Sequence, residues 1–185
     1  MKKLLLLLAV LLSAATISAQ NLVENGDFEE WDFWSGRPLP WSPSPSSPIE
    51  KSEESQSGDY SACLNTDDFS NYVAYMQIAD ITLEKNKTYE ISFYYWLKKG
   101  ALTKFNVSAS YPKAGEIFPQ TLFSKDIEFP VSQETWKKFT MTHAETDGTT
   151  LSSFQILIWS DEDASLLIDN VVIRDQAGAA ISEND

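Results

Sequence analysis

The chain has 185 residues, and its 27 acidic and 14 basic side chains give a formal charge of −13 at neutral pH. Such a surface repels phosphate backbones and anionic membranes, which argues against a nucleic-acid partner and suits a neutral ligand or a divalent cation. With Cys63 as the one cysteine and His143 as the one histidine, the chain excludes an intramolecular disulfide. It also argues against zinc or copper sites and against Ser-His-Asp or Cys-His catalysis.

The first 19 residues have the pattern of a secretory signal peptide. Lys2 and Lys3 precede an apolar run at residues 4–12, and small residues follow up to Ala19. The apolar run is short for a membrane-spanning helix, although a retained anchor is the alternative. We expect cleavage near Ala19, without membrane insertion, and a mature protein that is secreted, periplasmic or bound at the cell surface.

Two short segments at the ends of the mature chain, residues 21–29 and 166–173, each combine apolar strand residues with carboxylates. In a domain whose first and last strands are neighbours, these segments would meet. The pattern predicts a sandwich that is closed by its own termini.

Residues 31–58 follow the first predicted strand and contain repeated prolines among serines, a composition that interrupts helix and sheet. Because the segment is also rich in aromatic residues, we expect an ordered loop rather than a disordered linker. Trp31 and Trp41 are predicted core residues, as is Trp136 further along. Trp34, near the tip of the loop, is a possible exposed platform.

Short β-type segments separated by turn signals make up the remaining chain. The predicted strands are residues 60–64, 72–78, 88–97, 104–110, 136–143, 153–159 and 165–174. Cys63 lies in the first of these, where a buried, unreactive thiol is expected. The spacing predicts one all-β domain over residues 20–175, an antiparallel sandwich or barrel, with a flexible tail at residues 176–185.

The ordered series of motifs resembles the carbohydrate-binding modules of the family 4/9/16/22 group. The matching segments are residues 21–29, Trp41, 57–61, Gln77 with 81–83, 88–93, 136–140 and 167–173. The resemblance implies an antiparallel jelly-roll β-sandwich with a galactose-binding-domain-like fold. It also implies non-catalytic binding of a polysaccharide or oligosaccharide. The chain departs from the family pattern in its long loop at 31–58 and in lacking an accompanying catalytic domain.

A structural Ca²⁺ site is expected near the two terminal segments. Calcium binds carboxylate and carbonyl oxygens, and Asp27 and Glu29 share one face if their segment is extended. The resemblance implies Glu29 and Asp169 as ligands, with Asp27 and Asp59 as further candidates. The alternative is that these carboxylates cap turns or accept backbone N–H groups.

Candidate ligand-binding residues are those whose phase along a strand is opposite to that of the predicted core. Exposed aromatic rings can cover the C–H patches of a sugar while polar neighbours bind its hydroxyls. The candidates are Tyr75, Gln77, Tyr94, Trp96, Gln155 and Trp159. The alternative for Trp96 and Trp159 is packing beneath the long loop.

No pair of acidic residues stands out as a catalytic pair, so we expect no enzymatic activity. The alternative function is an extracellular module that binds a protein through Tyr94, Trp96 and Trp159, or a purely structural sandwich without a glycan ligand.

Overall fold

The computed structural model describes residues 20–67, 72–128 and 135–176. The predicted signal peptide at 1–19 lies outside these residues, as does the predicted tail from 177 onward. The strands are β1 (Ser42–Pro43), β2 (Glu50–Ser52), β3 (Ser61–Thr66), β4 (Val73–Ile78), β5 (Ile81–Leu83), β6 (Lys87–Lys99), β7 (Lys104–Tyr111), β8 (Gln120–Asp126), β9 (Lys137–Glu145), β10 (Thr149–Leu151), β11 (Ser153–Trp159) and β12 (Ala164–Asp175). Within the described residues, no helix is long and apolar enough to span a bilayer.

Two five-stranded antiparallel sheets form the domain. The first sheet has the strand order β1-β4-β11-β7-β8, and the second has the order β2-β3-β12-β6-β9. The short strands β5 and β10 pair separately. Because the chain repeatedly crosses between the sheets, most neighbouring strands are distant in sequence; β2-β3 and β7-β8 are the consecutive pairs in these two sheets. The predicted antiparallel jelly-roll β-sandwich is confirmed.

The core lies between the sheets and follows from two-residue alternation along each strand. In the first sheet, Met76 and Ile156 are fully buried, while the second sheet contributes Phe93 and Ile168. The rings of Phe93 and Phe105 meet across the two sheets, with their centroids 6.1 Å apart. Along the central strands, every second residue is therefore committed to the core, and the residues between them form two outer faces.

The strongly alternating strands were predicted to within about two residues at each end, and β11 agrees at both ends. Strand β8 was missed because most of its residues are exposed or half-buried, so it lacks a regular apolar face. Strands β1, β2, β5 and β10 are two or three residues long and leave no periodic signal.

The long loop at residues 31–58 is ordered, as predicted, and contributes the edge strands β1 and β2. Trp41 is buried, with its ring centroid 5.5 Å from that of Phe28, and Trp31 is half-buried against the core. Trp34 is 91% exposed. Trp136 is half-buried and contacts the ring of Trp96 rather than the core cluster.

The front segment does not form the predicted strand. It is a succession of turns, with positive φ angles of 47° at Asn25 and 56° at Phe28. It nevertheless lies along β12: the N–H of Leu22 donates to the carbonyl of Ile173 (2.8 Å), and the N–H of Val171 donates to the carbonyl of Gly26 (2.7 Å). The predicted meeting of the two ends of the domain is thus confirmed, in a different conformation.

Gly26 permits this close approach because it has no side chain. A Cβ atom at this position would stand 2.0 Å from the carbonyl oxygen of Val171, which is backbone and cannot move aside. We predict that Gly26→Ala lowers the free energy of unfolding by about 2–4 kcal/mol, as overpacking and a lost backbone contact act together. Urea denaturation followed by tryptophan fluorescence measures this loss.

The matched control is Gly115→Ala. Gly115 has a φ of 87°, and a Cβ atom added there would meet no heavy atom within 4 Å, so its cost is limited to backbone strain of about 1–2 kcal/mol. Equal losses in the two variants would contradict a steric role for Gly26.

Candidate functional site

The outer surface of the first sheet carries a row of polar side chains that crosses all five strands. The register aligns Ser124, Ser108, Gln155, Gln77 and Ser42, from β8 to β1. At a strand spacing of 4.7–4.9 Å, the row is about 19 Å long. We call this row and its outward-facing neighbours on the same sheet the amide face.

A second row on the amide face aligns Tyr75, Leu157 and Asn106 with Asp126. The carboxamide of Asn106 donates to Asp126 Oδ1 (2.7 Å) and to Ser124 Oγ (3.1 Å). Asn106 is only 6% exposed although it points away from the core. These hydrogen bonds fix the orientation of the Asn106 carboxamide on the amide face.

Gln77 and Gln155 differ in how they are held. Ser153 Oγ donates to Gln77 Oε1 (3.1 Å), which fixes the Gln77 carboxamide. Gln155 is half-buried, and its side chain has no hydrogen-bond partner among the described residues. Gln155 therefore has a donor and an acceptor available to a ligand.

Trp159 lies at the end of β11, between Val73 and Lys104 of the adjoining strands, and is 45% exposed. This exposure excludes the alternative that the ring is covered by the long loop. Trp159 and Gln155 are four residues apart on one face, a distance of about 13 Å along the strand.

Four of the six predicted ligand-binding residues, Tyr75, Gln77, Gln155 and Trp159, are brought together on this face. Tyr94 and Trp96 lie on β6 and face outward from the second sheet, on the opposite side of the sandwich. The six residues therefore cannot form one site. The apolar protein-contact patch predicted from Tyr94, Trp96 and Trp159 is likewise divided between the two faces.

The outer surface of the second sheet carries Lys98 and Lys138 beside its aromatic rings, together with the ion pair of Arg174 and Glu90, and we call it the lysine face. Lys98 Nζ lies 5.0 Å from the ring centroid of Trp96, and Lys138 Nζ lies 5.8 Å from that of Tyr94. Lys98 also forms a salt bridge with Glu54. These contacts already occupy the aromatic rings with cations.

Sequence reasoning did not identify the polar residues of β7 and β8, namely Asn106, Ser108, Ser124 and Asp126. The signal for β7 was available, since Asn106 and Ser108 alternate with the apolar residues Phe105, Val107 and Ala109. Alternation distinguishes outward from inward residues. It does not tell which strands share a sheet.

Two of the four predicted metal ligands, Glu29 and Asp169, meet at one loop. Glu29 Oε1 accepts the N–H groups of Asp59 (2.9 Å) and Tyr60 (3.1 Å). Asp169 is fully buried. Its Oδ2 accepts the N–H groups of Gln56 (2.7 Å) and Ser57 (3.2 Å), and its Oδ1 accepts that of Asn170 (2.6 Å).

Burial raises the pKa of Asp169 to about 6, and the negative charge of Glu29 adds to the increase. The N–H groups of Gln56, Ser57 and Asn170 act in the opposite direction, because they stabilise the ionised form. Two carboxylates therefore face one loop, and among the described residues no cation is paired with either to offset their repulsion.

Asp27 and Asp59 are exposed, and the hydrogen bonds of the described residues do not join their side chains to this pair. Across residues 20–67, 72–128 and 135–176, no group of three or more His, Cys, Asp or Glu side chains is placed to hold a metal ion. A cation at Glu29 and Asp169 would have to complete its coordination with carbonyl oxygens or water.

The surroundings of the Cys63 thiol and the His143 imidazole indicate structural roles for both. Cys63 is half-buried, and burial raises its pKa to about 11, consistent with an unreactive thiol. His143 Nε2 lies 3.5 Å from Glu145 Oε2, while Glu145 Oε1 accepts the N–H groups of Asp147 and Gly148 at 2.9 Å each.

A family model described as a carbohydrate binding domain (families 4 and 9) matches residues 20–165. The sequence has no significant match among the curated proteins.

Several solved structures share the fold. The CBM22-1 xylan-binding domain of Xyn10C from Paenibacillus barcinonensis is 20% identical, with a TM-score of 0.58 over 85% of this chain and 95% of that one. A family 61 module in complex with β-1,4-galactotriose is 14% identical, with a TM-score of 0.55 over 85% and 99%. A Stig cyclase from Fischerella sp. TAU is 15% identical, with a TM-score of 0.62 over 85% and 98%.

The raised pKa of Asp169 predicts a specific pH dependence of stability in the absence of metal. Between the ordinary value of 3.8 and about 6, the folded state retains a proton that the unfolded chain has lost. The contribution of Asp169 to stability therefore falls as pH rises through this window. We predict that, relative to Asp169→Asn, the wild type loses on the order of 2 kcal/mol of unfolding free energy between pH 4 and pH 7.

Urea denaturation in EDTA at a series of pH values measures this difference. Glu29→Gln removes the neighbouring negative charge, which contributes to the raised pKa of Asp169. The variant should therefore narrow the pH range over which the two stabilities diverge. Parallel stability curves for wild type and Asp169→Asn would contradict the assignment.

Proposed function

The chain belongs to the carbohydrate-binding domain family, and on that premise we propose that it is an exported, non-catalytic module that binds a neutral polysaccharide or oligosaccharide on its amide face. The observation that carries this proposal is the row of carboxamides and hydroxyls, flanked by Tyr75 and Trp159, across one sheet. Carboxamides donate and accept at once, as sugar hydroxyls do. An exposed ring buries the C–H surface of a pyranose.

The structural neighbours support the ligand class. One of them is a xylan-binding domain and another holds β-1,4-galactotriose. Both resemble this chain only in fold. The identity of the sugar therefore depends on the residues of this protein and not on those of its neighbours. The acidic net charge favours an uncharged glycan over an anionic one.

The position of Asp126 on the amide face supports a non-catalytic role. Asp126 accepts a hydrogen bond from Asn106 and lies 3.8 Å from Lys104 Nζ. Among the described residues of the face, no second carboxylate stands opposite Asp126, as a glycosidase would require.

The sugar-binding test is a titration of neutral plant and bacterial glycans, including xylan and β-1,4-galactan, followed by tryptophan fluorescence and calorimetry. We predict that Trp159→Ala raises the Kd for the bound glycan about three- to tenfold. A stacked sugar buries the exposed 45% of the ring, which is worth about half of the 1.5–3 kcal/mol for a fully exposed side chain.

Two matched tryptophan variants serve as controls. Trp96→Ala on the lysine face and Trp34→Ala at the loop tip should leave the Kd unchanged. A Kd that responds to Trp96→Ala but not to Trp159→Ala would place the site on the lysine face. The absence of binding to every glycan would refute the proposed function.

A structural calcium ion at Glu29 and Asp169 is the second part of the proposal. A carboxylate offers about four lone-pair positions. The hydrogen bonds from the loop N–H groups use two of these on Glu29 and three on Asp169, so oxygen positions remain for a cation. When bound, Ca²⁺ would supply the positive charge that offsets the repulsion between the two groups.

We predict that the Tm is higher in excess Ca²⁺ than in EDTA, because a ligand that binds the folded state stabilises it. The shift should be larger at pH 7 than at pH 5, since calcium binds the ionised carboxylate. Glu29→Gln should abolish the shift, whereas Asp147→Asn, on an exposed turn, should retain it. Identical melting curves in Ca²⁺ and EDTA at pH 7 would contradict the calcium site.

A further inference from the structure

A trough of about 390 Å³ lies on the lysine face, the outer surface of the second sheet. Its lining comes from four adjacent strands, β2, β3, β12 and β6, and from the start of the loop that follows β2. None of the predicted ligand-binding residues and none of the predicted metal ligands lines it. The trough is therefore separate from the amide face and from the calcium pair.

Short side chains on the two middle strands make the floor of the trough. Cys63 and Asn65 of β3 are in register with Leu167 and Ser165 of β12. Leu167 is only 2% exposed and is the apolar part of the floor, while the Ser165 hydroxyl donates to Asn65 Oδ1 (2.7 Å). The floor thus combines an apolar patch with a few polar groups, the usual composition of a small-molecule site.

A β-bulge in β6 places two lysines on the same wall of the trough. Ser165 of β12 pairs with Lys99, whereas the residue after Ser165 pairs with Leu97. Lys98 is therefore the extra residue that the bulge inserts into β6. In a regular strand the side chains of Lys98 and Lys99 would point to opposite faces of the sheet. Because of the bulge, both line the trough.

Each of these two lysines is held by a carboxylate at its side. Lys98 Nζ forms a salt bridge with Glu54, and Lys99 Nζ lies 2.9 Å from Asp163 Oδ2. An ammonium group has three N–H donors, so each ion pair leaves donors for an anion in the trough. Exposed ion pairs contribute little to stability. A ligand carboxylate therefore shares these lysines at small cost.

The two walls of the trough differ in charge. Glu50 lies on the β2 side, and Lys98 and Lys99 lie on the β6 side. With Lys51 and Glu54 included, three lysines and two glutamates line the trough, a local excess of positive charge in a chain of formal charge −13. This local reversal of sign favours an anionic ligand. Such a ligand turns its carboxylate to the lysines and its hydroxyls to Glu50.

We propose that the trough is a second glycan site, which binds an acidic sugar unit through a carboxylate at Lys98 and Lys99. Its volume is within the range of ligand sites, about 300–1,000 Å³. The Ser165 hydroxyl, the Asn65 carboxamide and the Glu50 carboxylate match a hydroxyl-rich anion better than an acidic peptide. Because the trough and the amide face are on opposite sides of the sandwich, one molecule binds a neutral chain and an acidic sugar at the same time.

Cys63 reports on occupation of the trough, because it belongs to the lining and is the one cysteine of the chain. The experiment measures alkylation of Cys63 by iodoacetamide at about pH 9 and low salt, by mass spectrometry. The reaction is slow, since burial raises the pKa of Cys63 to about 11. We predict that excess trigalacturonate slows alkylation about fivefold or more, because a ligand over the floor covers the thiol.

The neutral trisaccharide β-1,4-galactotriose is the matched ligand control, and it should leave the alkylation rate unchanged. Equal protection by the two trisaccharides would show that the carboxylate is not recognised. The absence of protection by trigalacturonate would likewise overturn the proposal. A hexamer of glutamate tests the acidic peptide. If it protects Cys63 as well as trigalacturonate does at equal carboxylate concentration, the assignment to a sugar is wrong.

The variant Lys98→Gln/Lys99→Gln tests the two lysines directly. It removes two charge-assisted hydrogen bonds, so the trigalacturonate concentration that gives half-protection should rise at least about tenfold. Lys113→Gln/Lys125→Gln, in the loop before β8 and on β8, changes the net charge equally and should not alter this concentration. An equal loss in both variants would show a general charge effect and contradict the site. An unaltered Tm establishes that each variant is folded.

The trough and the amide face fail separately. Trp159→Ala should weaken binding of the neutral glycan and leave the protection of Cys63 by trigalacturonate intact. Neutral glycan binding without any protection by trigalacturonate would overturn the trough and retain the amide face. Protection by trigalacturonate in a protein that binds no neutral glycan would retain the trough and overturn the amide face.

Discussion

The contact between the front segment and β12 is the constraint on which the other features depend. Gly26 approaches the carbonyl of Val171 more closely than any side chain would allow, and two backbone hydrogen bonds join the segments. This contact places Glu29 at the loop that Asp169 also reaches. It also holds Leu22 in place, and Leu22 lines a cleft together with Ser42 and Gln77 of the first sheet. The closure of the fold and the meeting of Glu29 and Asp169 at one loop thus have one physical origin.

The sandwich separates its chemistry because each strand has two sides and each sheet has one inner face. The residues that alternate with Phe105, Val107 and Ala109 are polar and form the amide face. The corresponding positions of β6 hold Tyr94 and Trp96 among lysines. The core therefore does more than stabilise the domain, since it isolates two surfaces of different composition on opposite sides.

The periodicity of the sequence predicts those features of this protein that are set within a single strand. The alternation is strict in β4 and β11 and is interrupted in β6 only by the buried Ser92, so these strands and their inward residues followed from sequence. The prediction of a strand in the front segment was wrong. Its apolar composition favours a strand, whereas the positive φ angles at Asn25 and Phe28 make turns. The candidate site was only half predicted. β7 joins β11 through long-range pairing, which the periodicity of a single strand does not encode, and β8 enters the sheet only through its pairing with β7.

The two outer faces differ in how available their aromatic rings are. On the lysine face, ammonium groups already lie over Tyr94 and Trp96, and Trp136 meets Trp96 with ring centroids 6.0 Å apart. A sugar that stacked there would have to displace favourable cation–π contacts. Trp159 is 45% exposed and has no ring or cation contact among the described residues. A ligand would bury the exposed part of that ring and would find the carboxamide of Gln155 on the same strand, which is why we propose the amide face as the glycan-binding surface.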